Sequence, residues 1–210
     1  MTKLIIDGVE DKPDATLILA HGSGQPATAP FMQSVTELLL AVKPGLRVVR
    51  FNFPYMARAI EMGKHRPPDR APVLEQCWSE VIARVRDTMS SNEQLFIGGK
   101  SLGGRLATMV AQAERVDGVV CLGYPFHPPG KPEKLRTEHL ADIDAPVLMC
   151  QGERDPFGTR EEVPGYHLPD NFSLHWVTDG EHSFKPRKRS GVTLEQNLAD
   201  AAEAIAAFMH

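Results

Sequence analysis

The sequence has 210 residues, of which 42% are hydrophobic and 24% charged, a composition typical of one globular domain with its own core. It has 23 Lys and Arg against 27 Asp and Glu and a net charge of -4, so nothing in the composition indicates a nucleic-acid partner. No apolar stretch is long enough to span a bilayer, and the first residues lack the pattern of a secretion signal. We therefore expect a cytoplasmic protein without a membrane partner.

Cysteine and histidine usage argues against a disulfide framework and against a metal site. The three cysteines, Cys77, Cys121 and Cys150, lack C-x-x-C spacing, and the last two fall in apolar runs. Buried, reduced thiols are the expectation at such positions. The eight histidines are scattered, without an H-E-x-x-H pattern, so we predict no metal and no cofactor.

Short apolar runs alternate with segments of helical periodicity along most of the chain. The predicted strands are 4–6, 16–20, 46–51, 95–98, 116–123, 146–151 and 172–177. The predicted helices are 31–42, 73–89, 102–113 and 194–208, the last opened by a capping box of Thr193 and Gln196. This alternation predicts an α/β fold over 1–210 as a single domain, with a mostly parallel central sheet, helices on both faces and a minimal lid.

The segment 95–113 joins a predicted strand to a predicted helix through a glycine-rich corner. Within it, Gly99 and Gly103 flank Ser101 in a G-x-S-x-G pattern, which is typical of a serine held on a strained strand-to-helix turn with its hydroxyl exposed. The same letters resemble the end of a phosphate-binding loop, but that motif requires glycine where this chain has Gln94. Ser101 is therefore the candidate nucleophile.

Other reactive side chains follow the ends of later predicted strands. Because parallel strands end at one edge of a sheet, Asp155 and His182 are expected to lie near Ser101. A serine needs a general base, and the base needs a carboxylate that fixes its tautomer. We predict that His182 is the base and Asp155 the carboxylate, in the chain order Ser, Asp, His. Asp179 and Asp144 remain alternatives for the carboxylate.

A tetrahedral oxyanion requires two backbone donors. The N–H of Leu102, directly after the serine, is predicted as one of them. The loop after the second strand is expected to supply the other, with Ser23 as first choice and Gly24 as second. In the same loop, His21 is interpreted as a structural anchor.

The segment after the third strand offers two interpretations. Phe53, Tyr55 and Met56 are candidates for an apolar wall that binds substrate beside Ser101, and they fit the hydrophobic core equally well. The proline-rich segments 52–72 and 124–144 are expected to be irregular and to cover the site.

Four segments together resemble the α/β-hydrolase superfamily over nearly the whole chain. They are 21–24, 50–55, 98–104 and 182–185. The small size is similar to the dienelactone-hydrolase-like branch. More closely, the segments resemble small bacterial proteins that share their domain with an animal testis-expressed protein and a subunit of the non-specific-lethal chromatin complex. In dienelactone hydrolases the nucleophile is usually cysteine, whereas here it is Ser101, so the lactone substrate is not transferred.

The resemblance implies a serine hydrolase fold with the triad Ser101, Asp155 and His182. The expected activity is hydrolysis of a small-molecule carboxylic ester through an acyl-enzyme, with a thioester or small amide as further candidates. A binding or scaffolding module on a hydrolase fold is the alternative, because fold alone does not determine function.

Overall fold

The computed structural model describes residues 2–209 and contains one seven-stranded sheet. The strands are β1 (Leu4–Gly8), β2 (Ala15–Ala20), β3 (Leu46–Phe51), β4 (Gln94–Lys100), β5 (Gly118–Leu122), β6 (Val147–Gly152) and β7 (Phe172–Val177). Their order is β1-β3-β2-β4-β5-β6-β7. All neighbouring pairs are parallel except β1 with β3, which are antiparallel. The predicted fold, a mostly parallel sheet in an α/β architecture, is confirmed.

Helices cover both faces of the sheet. They are α1 (Pro30–Val42), α2 (Pro54–Met62), α3 (Ala71–Arg86), α4 (Leu102–Glu114) and α5 (Leu194–Phe208). One core layer packs α2, α3 and α4 against the sheet, and the other packs α1 and α5. The fully buried strand β2 runs between the two layers, as expected of a strand that helices cover on both sides.

Helix α2 corrects the prediction that 52–72 is irregular throughout. Pro54 occupies the first helical turn, where its missing N–H is not needed. Gly63 ends the helix in the left-handed conformation with φ 59°. The proline and charge content of the segment suggested a loop, although a proline at the start and a glycine at the end are also helix signals.

The remaining predicted elements are confirmed with small changes at their ends. Helix α3 begins at Ala71 and ends at Arg86 instead of covering 73–89, and β5 is shorter than 116–123. The capping box of Thr193 and Gln196 is present at the start of α5. All three cysteines are buried free thiols. Within residues 2–209, no helix combines the length and hydropathy needed to cross a bilayer.

A buried polar cluster ties the first three parallel strands together at the edge where they begin. The Arg47 Nη2 atom lies 2.7 Å from the Glu93 carboxylate, and Arg47 Nε donates to the Thr16 hydroxyl at 2.7 Å. The Thr16 hydroxyl in turn donates to Glu93. The side chains of Glu93 and Arg47 are 0% and 7% exposed, so removal of either would leave a buried charge without its partner.

We expect Glu93→Ala to lower the free energy of unfolding by about 3–5 kcal/mol, because Arg47 would remain buried and uncompensated. Urea unfolding of the two proteins measures the difference. The matched control is Glu114→Ala, which breaks a surface pair with the half-exposed Arg86 and is expected to cost less than about 1 kcal/mol. Equal losses in the two variants would contradict the assignment of Glu93 as a structural anchor.

Candidate functional site

Ser101 lies on the sharp turn between β4, which ends at Lys100, and α4, which begins at Leu102. Its backbone angles are φ 50° and ψ -111°, a conformation that residues with a side chain rarely adopt. The Ser101 N–H donates to the Leu122 carbonyl at the end of β5 at 3.0 Å. The strained turn is therefore held by the neighbouring strand, and α4 starts directly behind the serine.

Two glycines make this turn possible through their missing side chains. A Cβ at Gly99 would lie 2.2 Å from the Ala20 carbonyl oxygen, and a Cβ at Gly103 would lie 2.4 Å from the same atom. Both distances are shorter than any allowed contact, so larger residues would push β2 away from the turn. The end of β2, and with it the loop that follows, lies directly beside Ser101.

His182 links Ser101 to Asp155. The His182 Nε2 atom lies 2.9 Å from the Ser101 hydroxyl oxygen, and Nδ1 lies 2.8 Å from Asp155 Oδ2. The Asp155 side chain is 0% exposed and that of His182 is 19% exposed. A carboxylate at Nδ1 places the proton on that nitrogen and leaves Nε2 as the acceptor that faces the serine. These three predicted residues therefore form one hydrogen-bonded chain.

Asp155 is held by groups from its own loop and strand. The Gln151 side-chain amide donates to Asp155 Oδ2 at 3.1 Å, and the Phe157 N–H donates to Oδ1 at 2.9 Å. The two alternative carboxylates have other partners. Asp179 binds Arg187, which lowers the pKa of this carboxyl to about 2, and Asp144 accepts from Gln112.

Close packing of two strand ends brings Asp155 and His182 together. A Cβ at Gly152 would lie 2.5 Å from the Glu181 carbonyl oxygen, so only glycine lets the ends of β6 and β7 approach this far. The ring of Phe157 then packs on the His182 ring with 4.3 Å between their centroids. The imidazole is thus confined between its two hydrogen bonds and an aromatic side chain.

Lys100 also supports His182, a role that the sequence analysis did not assign. Its Nζ donates to the His182 carbonyl at 2.6 Å and lies 5.6 Å from the centre of the Phe31 ring. Burial lowers the pKa of Lys100 to about 8, although Asp155 and Glu181 act in the opposite direction. The G-x-S-x-G motif allows any residue at this position and does not indicate where its side chain points. The sequence analysis therefore assigned no role to Lys100.

The loop after β2 is anchored by His21, as predicted. The fully buried His21 ring approaches the Gly22 carbonyl through Nδ1 at 2.6 Å and accepts from the Phe53 N–H through Nε2 at 3.1 Å. This pair of contacts requires the neutral ring with its proton on Nδ1. Burial accordingly lowers the pKa of His21 to about 4.

The predicted backbone donors lie at the open edge of the site. A Cβ on Gly22 would lie 3.7 Å from the Ser101 Cβ, so the loop contacts the turn that carries the serine. The Tyr55 hydroxyl donates to the Ser23 carbonyl at 3.0 Å and fixes the peptide that follows. Within residues 2–209, the N–H groups of Leu102, Ser23 and Gly24 have no protein acceptor, and all three residues border the clefts described next.

Two clefts meet at Ser101 and His182. The first, of about 250 Å³, is bounded by the loop 22–25, by Ala29 and by the apolar start of α1 at 30–32. The second cleft, of about 450 Å³, is bordered by two arginines in addition to apolar residues. Its further lining residues are Ser23, Pro68, Leu102, Arg105, Pro125, Arg136 and Phe157. The segments 52–72 and 124–144 therefore do border the site, as expected.

The structure decides between the two interpretations of Phe53, Tyr55 and Met56. Phe53 and Tyr55 are completely buried in the core, and none of the three residues borders the clefts at Ser101. The core interpretation therefore describes them, and the apolar wall is formed instead by Phe31 and Met32. The sequence could have indicated this wall. A helix that starts just after the predicted oxyanion loop must begin at the same edge of the sheet, so its first apolar residues lie near the site.

Comparison with known proteins defines the family. The sequence model of a family described as "Alpha/beta hydrolase domain" matches residues 13–210. The chain therefore belongs to the α/β-hydrolase family, and the resemblance seen in its motifs is confirmed at this level. The finer link to the animal testis-expressed and chromatin-complex proteins stays a prediction.

Solved structures from several bacteria share the fold. An alpha-beta serine hydrolase homologue from Coxiella burnetii is 17% identical with a TM-score of 0.72, over 100% of this chain and 92% of that one. A serine hydrolase without a lid from Xanthomonas campestris is 20% identical with a TM-score of 0.69, over 97% and 89%. Est1E from Butyrivibrio proteoclasticus is 15% identical with a TM-score of 0.70, over 98% and 92%. At these identities the likeness establishes the fold alone.

The buried neutral histidine gives a testable pH dependence. The pKa of His21 falls from 6.5 to about 4 on folding, so between these values the unfolded chain binds more protons than the folded one. Stability is therefore full above about pH 6.5 and falls as the pH drops toward 4, by at most roughly 3 kcal/mol. His21→Gln, which keeps one donor and one acceptor, is expected to flatten this decline.

Urea unfolding of the native protein and the variant, at several pH values between about 4 and 7, measures the effect. His65→Gln, which changes an exposed histidine of the segment 52–72, is the control and is expected to keep the native decline. An unchanged pH dependence in His21→Gln would show that His21 is not the group responsible.

Proposed function

We propose that this protein is a serine hydrolase that cleaves a carboxylic ester through an acyl-enzyme. The observation that carries the proposal is the continuous hydrogen-bond chain from Ser101 through His182 to the buried Asp155. It begins at a strained serine where two clefts meet. A scaffold would have no use for this combination of backbone strain, buried carboxylate and open cleft.

In the first half of the reaction, Ser101 Oγ bonds to the ester carbonyl carbon while His182 Nε2 takes the hydroxyl proton. Asp155 stabilises the imidazolium that forms and keeps its Nδ1 proton in place. The same Nε2 proton then passes to the departing alkoxide as the carbon–oxygen bond breaks. The alcohol leaves, and the acyl group remains on Ser101.

The negative charge of the tetrahedral intermediate needs fixed donors. The N–H groups of Leu102 and Ser23, or Gly24 in place of Ser23, are proposed to supply them because they border the clefts and have no protein acceptor within residues 2–209. The positive end of α4 adds to this field. Donors held in place by the protein contribute more than water does, because they need no reorientation during the reaction.

Water completes the cycle. It enters the site after the alcohol has left, loses a proton to His182 Nε2 and attacks the acyl carbon, and His182 then returns that proton to Ser101 as the acid is released. Thioesters and small amides could react by the same steps. A small-molecule substrate and a cytoplasmic location belong to this proposal as expectations from the composition.

We expect a fluorophosphonate probe to label the native protein, and we expect Ser101→Ala and His182→Ala to abolish labelling. Turnover of 4-nitrophenyl butyrate is expected to fall by about 10⁴-fold or more in both variants, and by about 10⁴-fold in Asp155→Asn, where the amide favours the wrong tautomer of His182. Gel fluorescence and initial rates at 405 nm are the two readouts.

The chain offers matched controls for each change. Ser91→Ala alters an exposed serine that borders neither cleft, and Asp144→Asn alters the surface carboxylate that binds Gln112. Both variants are expected to keep labelling and turnover. A folded native protein that neither reacts with the probe nor cleaves the ester would support the binding-module alternative.

A further inference from the structure

The second cleft places two guanidinium groups beside the candidate nucleophile. It is bordered by Arg105 and Arg136 together with Ser101 and His182. Arg105 lies one helical turn after Ser101, and its N–H donates to the Ser101 carbonyl at 3.0 Å. A ligand group in this cleft would therefore meet both the serine and the two positive charges.

Neither arginine of the second cleft is paired with a carboxylate in the part of the chain that the structure describes. Within residues 2–209, Arg105 and Arg136 form no salt bridge, and the buried Nε of Arg105 has no hydrogen-bond partner. Many other arginines of the chain do pair with a carboxylate. They are Arg47, Arg50, Arg58, Arg86, Arg154, Arg160 and Arg187. Within the described residues, the two cleft arginines lack the carboxylate partners that these seven arginines have.

The two arginines of the second cleft act on each other's charge. Arg105 lies near the positive end of α4, and the first turn of that helix has no acidic residue to compensate. The pKa of Arg136 is lowered by burial and by the charge of Arg105, although Tyr124 acts in the opposite direction. Burial and Arg105 also lower the pKa of His139, against the opposite effect of Asp142 and Glu138. Arg105 and Arg136 therefore lie close enough to disfavour each other's charge, and a bound anion would reduce this repulsion.

The backbone of Arg136 is fixed although it lies in the long segment 124–144. Its N–H donates to the Phe126 carbonyl at 2.8 Å, and its carbonyl accepts from the Tyr124 hydroxyl at 2.8 Å. Phe126 and Tyr124 are both fully buried. The main chain that carries this guanidinium is therefore ordered before a ligand binds, which removes the main-chain part of the entropic cost of binding.

We propose that the ester cleaved at Ser101 carries an anionic group, a carboxylate or a phosphate, that binds Arg105 and Arg136 in the second cleft. The apolar part of the same substrate occupies the first cleft, against Phe31 and Met32. Guanidinium groups suit such anions because their planar donors match two oxygens at once. This inference rests on the proposed function and adds the class of substrate to it.

Matched pairs of esters test the inference. With the charge on the alcohol side, 3-butyryloxybenzoate is compared with its neutral methyl ester, and 3-butyryloxyphenyl phosphate replaces the carboxylate with a phosphate. With the charge on the acyl side, phenyl hydrogen adipate is compared with phenyl pentanoate. The native protein is expected to prefer the anionic member of at least one pair by about tenfold or more in kcat/KM, and which pair it is identifies the side and the anion.

Variants of each arginine separate binding from chemistry. We expect Arg105→Gln and Arg136→Gln to raise KM for the preferred anionic ester by about 10- to 100-fold, with kcat and the neutral ester changed by less than about twofold. Arg105→Lys, which keeps the charge, is expected to restore part of the affinity. Lys134→Gln removes an exposed cation of the same segment that does not border the cleft and is expected to change nothing.

A second measurement does not depend on turnover. We expect 3-hydroxybenzoate or 3-hydroxyphenyl phosphate to raise the melting temperature of the native protein but not of Arg105→Gln or Arg136→Gln. Without ligand, both variants are expected to melt at or above the native temperature, because one of two like charges is gone. An equal loss of activity toward the anionic and the neutral ester in the arginine variants would overturn the inference. So would a native protein that shows neither a preference for the anionic esters nor a rise in melting temperature with the anions.

The two proposals can fail separately. A protein that hydrolyses neutral esters through Ser101 without any anion preference would retain the proposed function and lose this inference. A protein that cleaves no ester, yet is stabilised by the anions only when both arginines are present, would lose the proposed function and keep an anion-binding cleft.

Discussion

The contact between the main chain of β2 and the two glycines around Ser101 determines the geometry of the whole site. Because Gly99 and Gly103 both lie against the Ala20 carbonyl, the serine turn and the loop that follows β2 must occupy the same small region. Strain in the Ser101 backbone is tolerated there because buried strands on both sides restrict any relaxation. The other groups of the site are positioned relative to this contact.

Ser101, His182 and Asp155 are each held in place by a group outside the hydrogen bonds that link them. Gln151 binds Asp155, Lys100 binds the main chain of His182, and Leu122 binds the serine turn. These contacts limit side-chain motion before a ligand arrives, which is how a protein reduces the reorganisation needed in the reaction.

Much of this arrangement could be predicted from the sequence, because it depends on local patterns. Alternating apolar runs located the strands, and parallel order placed the residues after them at one edge, so Ser101, Asp155 and His182 were found together. Phe53 and Tyr55 were harder to place, since an aromatic residue after a strand can turn toward the core or toward a cleft. Arg105 and Arg136 meet only because of the path taken by the segment 124–144, for which the sequence has no periodic signal.

Parts of the walls of the two clefts come from segments other than those that carry Ser101, Asp155 and His182. The first turn of α1 forms one wall, and Pro125 and Arg136 of the long segment after β5 contribute to the other. Mutations that accumulate in these segments over evolution can therefore change which molecules enter the site while the strand ends stay as they are. In a lineage of such proteins, ligand preference would diversify faster than the arrangement around the serine.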